Sequence, residues 1–225
     1  MKRIRFRTAI VSIGLIASMP LRIGAHFKLL EPASWLVENA LGDPQKAAPC
    51  GGPPPALGNA PVAGNAPVVP LSNAVTKVVG GSKLHLKVQE TIYHPGHYRV
   101  ALAVNSRNEL PPDPFTYERT TERGPYSVWA VIQSPPQIPV IADGLFPHYT
   151  RPLRPASGAA AEPVFFEADI QLPNIACPKC TLQVIQFMAE HSYNQPGGYS
   201  YHHCADLQIT ADPSKPIDEG WPVAK

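Results

Sequence analysis

Three histidines stand where they could share one metal ion. His26 directly follows Ala25, and His94 and His97 lie at the two ends of a Pro-Gly turn. If the chain is cut before His26, the α-amino nitrogen and the imidazole Nδ1 of that residue can close one chelate ring. Together with a turn imidazole they give three nitrogen ligands in a T-shaped plane. That geometry suits copper, because zinc prefers a tetrahedron. The sequence therefore predicts a copper site.

The predicted chelate depends on a leader that ends at Ala25. Residues 9–19 are an apolar run of the length of a signal-peptide core, too short to span a bilayer. The run is preceded by a basic region of Lys2, Arg3, Arg5 and Arg7. We therefore predict a signal peptide over residues 1–25, cleavage between Ala25 and His26, and a secreted or periplasmic location.

Removal of the leader reverses the net charge. The chain carries +2, from 19 basic and 17 acidic residues. Five of the basic residues and none of the acids fall in residues 1–25, so 14 basic residues remain against 17 acids, a net charge of −3. Nucleic acids and anionic membranes require basic patches. We therefore expect no nucleic-acid partner and no membrane association after processing.

The remaining 200 residues predict a single all-β domain, 26–225. The 28 prolines and 16 glycines of the whole chain, nearly all of them beyond residue 25, favour strands joined by long loops. Candidate strands lie at 83–89, 98–104, 127–133, 164–172, 181–188 and 204–210. The first alternates strictly between apolar and polar residues, and with the second it predicts a hairpin. We expect an antiparallel β-sandwich of the immunoglobulin or fibronectin type.

One segment, residues 43–71, has a composition of its own. It consists largely of proline, glycine, alanine and asparagine, and it repeats the hexads 58–63 and 64–69. Such a composition cannot bury enough apolar surface for a core. We predict a long surface loop, tethered at Cys50.

The four cysteines predict two disulfides, since exported proteins fold in oxidising surroundings. Four cysteines allow three pairings. A local Cys177–Cys180 bridge leaves Cys50 to pair with Cys204. The C-x-x-C motif would also fit a redox or zinc site, but a structural zinc site needs a second ligand pair.

These features together resemble the lytic polysaccharide monooxygenases, and more narrowly a bacterial group of polysaccharide-monooxygenase-like proteins. The shared features are the leader that ends before histidine, the His94-Pro95-Gly96 turn that opens a strand, and the segment 201–206, Tyr-His-His-Cys-Ala-Asp. The resemblance implies a copper histidine brace of His26 and His94, with Tyr201 axial to the metal. His97 is the alternative second ligand.

The resemblance also implies which residues surround the copper. Residues 186–191 lie where many family members carry groups that handle oxygen intermediates, and the candidates here are Glu190, His191 and Gln195. We interpret His202 and His203 as surface residues, one of them turned from the metal by strand alternation. No flat aromatic platform is obvious; Trp35, Tyr149 and Tyr199 are the candidates for contact with a polysaccharide.

The leading hypothesis is a monomeric copper-dependent enzyme that cleaves a polysaccharide such as chitin or cellulose oxidatively, using an external electron donor. A copper-binding or copper-delivery protein with the same brace and no turnover is the alternative. A metal-free carbohydrate-binding module is a third hypothesis, which the position of His26 disfavours. An open face with exposed aromatic residues around His26 would favour the enzyme.

Overall fold

The computed structural model describes residues 26–52, 69–150, 163–194 and 198–224. Within these ranges the chain is all-β, as predicted, with one short 3-10 helix at Arg107–Glu109. No helix in the same ranges is long and apolar enough to cross a membrane. The described strands are β1 (His26–Glu31), β2 (Val75–Val79), β3 (Lys83–Ile92), β4 (Gly96–Ala103), β5 (Thr116–Thr121), β6 (Gly124–Ala130), β7 (Val140–His148), β8 (Val164–Gln171), β9 (Cys177–Met188) and β10 (Ser200–Thr210).

Two sheets enclose the hydrophobic core as a β-sandwich. The smaller has the strand order β1-β3-β8, and the larger has the order β2-β10-β9-β4-β7. Neighbouring strands are antiparallel, except for the parallel pair β10 and β2. Leu84, Leu86 and Val88 are buried in β3 and share one core cluster with Val100 and Leu102 of β4. The alternation that predicted β3 thus reflects a strand with one face in the core.

The connection between β3 and β4 crosses from one sheet to the other, so the predicted hairpin is wrong. β4 pairs instead with β9 and β7, in the interior of the larger sheet. All eight residues of β4 are buried, because both faces of that sheet are covered. A Cβ on Gly96 would lie 1.9 Å from the carbonyl oxygen of Phe187. Only glycine allows this approach, and it holds the His94 turn tightly against β9.

The outer face of the larger sheet is covered by loops and by the two-stranded β5–β6 hairpin. The Cys50–Cys204 disulfide ties the early loop to β10, and Cys177–Cys180 closes the start of β9. Both predicted pairings are confirmed. Cys177 and Cys180 are fully buried, which fits a structural bridge and not an exchanging redox pair.

Some predicted features lie outside the described residues. They are the leader at 1–25, the part of the predicted loop that spans 53–68, and Gln195. The described ends of the loop, 43–52 and 69–71, contain no named strand. The extent of the single domain, 26–225, stays a prediction.

Candidate functional site

Strand ends from both sheets lie at one edge of the sandwich. β1 begins there with His26, opposite Ile92 at the end of β3. β4 begins with Gly96, opposite Met188 at the end of β9 and His148 at the end of β7. Antiparallel pairing places the end of one strand beside the start of the next. The fold therefore places His26, His94 and His191 at the same end of the sandwich, which we call the histidine edge.

The imidazole of His26 is held in a defined orientation. The side chain is buried, and its Nε2 lies 3.4 Å from Oδ2 of Asp43. This contact with His26 is the largest influence on Asp43 and outweighs burial, so the pKa of the carboxyl group is lowered. An ionised Asp43 favours a proton on Nε2, which leaves the lone pair on Nδ1. Nδ1 is buried and has no hydrogen-bond partner within the described part of the chain.

The two turn histidines lie in different environments. His94 is at the histidine edge, where its ring meets that of His191 edge to face at 4.7 Å between centroids. His97 is buried one residue inside β4, and its Nδ1 lies 3.2 Å from the hydroxyl of Tyr149. Its ring packs against Phe187 on the outer side of the sheet. The two histidines therefore have different surroundings, His94 at the cleft and His97 on the outer side of the larger sheet.

A cleft of about 410 Å³ opens beside His94. His191 lies in its wall and donates a hydrogen bond from Nδ1 to the carbonyl oxygen of Ser192. Glu190 is at the rim, half exposed, and forms an ion pair with Arg119 of β5. The cleft is lined by Tyr93, His94, Pro95, Tyr126, Tyr149, Glu190, His191 and Ser192. The structure thus brings His191 next to His94 and turns Glu190 toward the hairpin.

Tyr201 of β10 lies beside His26. The side chain is fully buried, and its ring centroid is 5.5 Å from that of His26. Burial, assisted by the charge of Asp43, raises the pKa of Tyr201 to about 12. The phenol therefore stays protonated at neutral pH.

The interpretation of His202 and His203 as surface residues is wrong, because both are buried. Strand alternation does send them to opposite faces of β10. His203 points into the core, with Nε2 3.0 Å from the carbonyl oxygen of Phe27. His202 points to the outer face, where its Nε2 lies 2.8 Å from Oδ1 of Asp113. Neither residue lines the cleft.

The sequence did not predict a buried polar cluster around Glu90, on the strands that flank the His94 turn. The Glu90 carboxylate is fully buried, and its Oε1 accepts hydrogen bonds from the Tyr98 hydroxyl and the Gln186 amide. The same oxygen lies 2.7 Å from Nε2 of His148. Burial lowers the pKa of His148, but the hydrogen bond and charge of Glu90 outweigh it and raise that pKa. The signal was present, since Glu90 continues the buried alternation of β3 with a carboxylate on an apolar face.

Of the three aromatic residues proposed for substrate contact, only Tyr149 is exposed at the cleft. Tyr199 is buried against the base of the hairpin. Trp35 lies elsewhere, under the guanidinium of Arg107 at 3.6 Å, with its indole N–H donated to the carbonyl oxygen of Cys50. Neither can form a platform beside His26.

Within the described ranges, no group of three or more His, Cys, Asp or Glu side chains is arranged to hold a metal ion. A histidine brace needs only two such side chains, because its third nitrogen is the chain terminus. No protein-family model matches the chain, and no curated protein matches it.

Proposed function

We propose that this protein is a copper-dependent oxidative enzyme that acts on a polysaccharide such as chitin or cellulose after cleavage between Ala25 and His26. One observation carries the proposal. Asp43 engages Nε2 of His26 and leaves the buried Nδ1 without a partner among the described residues. Nδ1 is the only ring nitrogen that can close a chelate ring with the terminal amine of the same residue.

The donor set fits copper. The amine and Nδ1 of His26, together with the imidazole of His94, would hold the ion with three neutral nitrogens, a set suited to copper. A carboxylate that accepts from the second ring nitrogen is the usual support for a ligating histidine, since it fixes tautomer and orientation. Asp43 is positioned for that task. When bound, copper would supply one-electron redox chemistry toward O2 or peroxide, fed by an external electron donor.

The surrounding side chains have distinct roles in this proposal. Tyr201 stays neutral and fills the space beside His26, which keeps a strong anionic ligand away from the metal. His191 borders the cleft with its ring against that of His94, and its imidazole would exchange protons with bound reactants. Glu190 and Arg119 form a charge pair at the rim, where a sugar hydroxyl can reach them. If hydrogen peroxide is the oxidant, hydroxylation of the sugar converts one C–H bond to C–OH and leaves one molecule of water from the peroxide.

Copper binding or delivery without turnover is the second candidate, and one observation favours it. His26 and His94 are each only 8% exposed, so the edge is more enclosed than a crystalline polysaccharide surface requires. Exposed Tyr149 at the cleft favours the enzyme instead.

The experiment compares copper-loaded processed protein with the copper-free form and with a His94→Ala variant. Each is supplied with a reductant and peroxide on chitin, cellulose and xylan, and soluble products are measured by mass spectrometry. The enzyme proposal predicts oxidised oligosaccharides from the copper-loaded protein alone. Intact polysaccharides with copper still bound would favour the copper-handling protein.

A further inference from the structure

The β5–β6 hairpin carries a cluster of three exposed aromatic rings, Phe115, Tyr117 and Trp129, here called the hairpin cluster. Their side chains are 67%, 45% and 47% exposed. Tyr117 and Trp129 face each other across the two strands and stack at 3.9 Å, with 16° between their planes. Phe115 meets Tyr117 edge to face at 5.1 Å. Contiguous apolar surface of this kind marks an interaction site on a soluble protein.

The hairpin is fixed to the body of the protein beside the histidine edge. Ser127 is fully buried and exchanges backbone hydrogen bonds with the cleft segment, from its N–H to the carbonyl oxygen of His191 and from the N–H of Glu190 to its own carbonyl oxygen. Ala130 packs into the buried cluster on the outer face of the larger sheet. Trp129 lies two residues from Ser127, roughly 7 Å along an extended strand. The cluster is therefore held at a set distance from His191.

Exposed aromatic rings are concentrated near this face. Apart from the hairpin cluster, the described residues include three with large exposed aromatic surfaces. Tyr149 lines the cleft, and Tyr193 lies two residues beyond His191. Only Phe165 is remote, on β8 of the smaller sheet.

The charges around the cluster favour a neutral ligand. The hairpin contains two acidic and two basic residues, Glu118, Arg119, Glu122 and Arg123, and so has no net charge. The hairpin therefore presents no excess of positive or negative charge that would attract a nucleic acid or a charged membrane. The C–H faces of a pyranose ring are apolar and weakly positive, which complements the negative face of an aromatic ring. Charged side chains at the border can bind the sugar hydroxyl groups.

We propose that the hairpin cluster is a docking surface for a neutral glycan chain and holds that chain beside the cleft at the histidine edge. The choice of glycan as the ligand rests on the proposed function. The location of the site, its lack of net charge and its stacked aromatic rings are features of the hairpin and do not depend on the proposed function.

The test measures binding of copper-free processed protein to microcrystalline cellulose and to chitin by depletion from solution. Trp129→Ala should weaken binding at least about tenfold, the loss typical of an aromatic anchor at an interface. Trp129→Tyr keeps a ring and should retain most of the binding. Phe165→Ala, which removes an aromatic residue of similar exposure on the other sheet, should bind as the wild type does. Phe115→Ala is the second cluster variant, used if thermal melting shows that Trp129→Ala loosens the hairpin.

Three results would overturn the proposal. The first is a wild-type protein that binds neither solid, and the second is cluster variants that bind as tightly as the wild type. The third is concentration-dependent self-association in ultracentrifugation that Trp129→Ala abolishes, which would assign the surface to a second copy of the chain. Copper titration of the same variants separates this proposal from the proposed function, because copper affinity should not depend on the hairpin cluster.

Discussion

His26 and Asp43 form a directed pair, with Nε2 of the imidazole 3.4 Å from Oδ2 of the carboxylate. The carboxylate lies in an irregular segment, 17 residues further along the chain. In the proposed copper site this pair would leave Nδ1 of His26 for the metal, which is the basis of the first prediction.

Asp43→Ala should lower Cu(II) affinity by about 10- to 100-fold, the usual cost of removing the carboxylate behind a ligating histidine. The expected cause is a mixture of His26 tautomers, with Nδ1 protonated in part of the population. Competitive calorimetry measures the effect. Asp169→Ala is the matched control, since Asp169 of β8 contacts the exposed imidazole of His85 at 3.2 Å, seven residues along β3 from Ile92, the partner of His26. Equal losses in the two variants would contradict a specific role for Asp43.

His94→Ala and His97→Ala should affect different properties, the first copper binding and the second thermal stability. Loss of His94 should remove most copper affinity and change the electron paramagnetic resonance spectrum, because it removes a proposed ligand. Loss of His97 should leave the spectrum unchanged but lower thermal stability, since it opens a cavity beside Phe187 and deprives the Tyr149 hydroxyl of a partner. A spectrum altered only by His97→Ala would transfer the ligand role to His97.

A second buried pair, Glu38 and His203, should shape the dependence of stability on pH. Nδ1 of His203 lies 3.1 Å from Oε1 of Glu38, and both side chains are buried. Burial raises the pKa of Glu38 to about 7 and lowers the pKa of His203 to about 4. Because the pKa of Glu38 is raised on folding, the free energy of unfolding should fall as the pH rises from about 4.5 to 7. Because the pKa of His203 is lowered on folding, the free energy of unfolding should rise with pH from about 4 to 6.5. The two trends oppose each other in the wild type.

Single substitutions should expose each trend. In Glu38→Gln the buried histidine remains, so the free energy of unfolding should rise from about pH 4 to 6.5. In His203→Gln the buried carboxyl group remains, so the free energy of unfolding should fall from about pH 4.5 to 7. Each change should be on the order of 2 kcal/mol. Urea unfolding at a series of pH values measures both. Glu167→Gln, at a half-exposed carboxylate, is the control and should follow the pH dependence of the wild type. Slopes of the same sign in the two buried variants would contradict the assignment.

The two disulfides should differ in their contribution to stability. Cys50–Cys204 joins residues 154 apart, and Cys177–Cys180 joins residues only 3 apart. Loop-closure entropy predicts a loss of about 5 kcal/mol when the long bridge is replaced by two serines and of about 2 kcal/mol for the short one. Denaturant unfolding of the two double variants gives the comparison. A larger loss from the short bridge would contradict the entropic account.

Local patterns predicted most clearly the strands that have one face in the core. The alternation of β3 is visible in sequence, and so is the apolar face of β10 that includes Leu207 and Ile209. The start of β10 at Ser200 was missed, because its first six residues are all buried and show no alternation. The supposed hairpin failed for a different reason. A His-Pro-Gly turn has the same local sequence whether it joins neighbouring strands or crosses between sheets, and only the pairing of β4 with β9 distinguishes the two.

The sequence predicted the candidate metal ligands but not the residues that orient them. His26 and His94 were identified from a cleavage signal and a turn motif, which are local features. Asp43 lies in a segment without periodicity, so its contact with His26 follows from the folded path of that segment. The hairpin cluster escaped notice because Tyr117 and Trp129 are 12 residues apart and meet only through the β5–β6 register.

The copper affinity of two forms of the protein tests the central claim most directly, one form beginning at His26 and the other retaining Ala25. The free amine loses its proton near pH 8, whereas an amide nitrogen does not bind metal without losing its own proton. Calorimetric titration should give one tightly bound Cu(II) per chain for the first form. For the second, the affinity should be lower by at least about two orders of magnitude, since loss of a chelating ligand costs several kcal/mol. Equal affinity in the two forms would contradict the histidine brace.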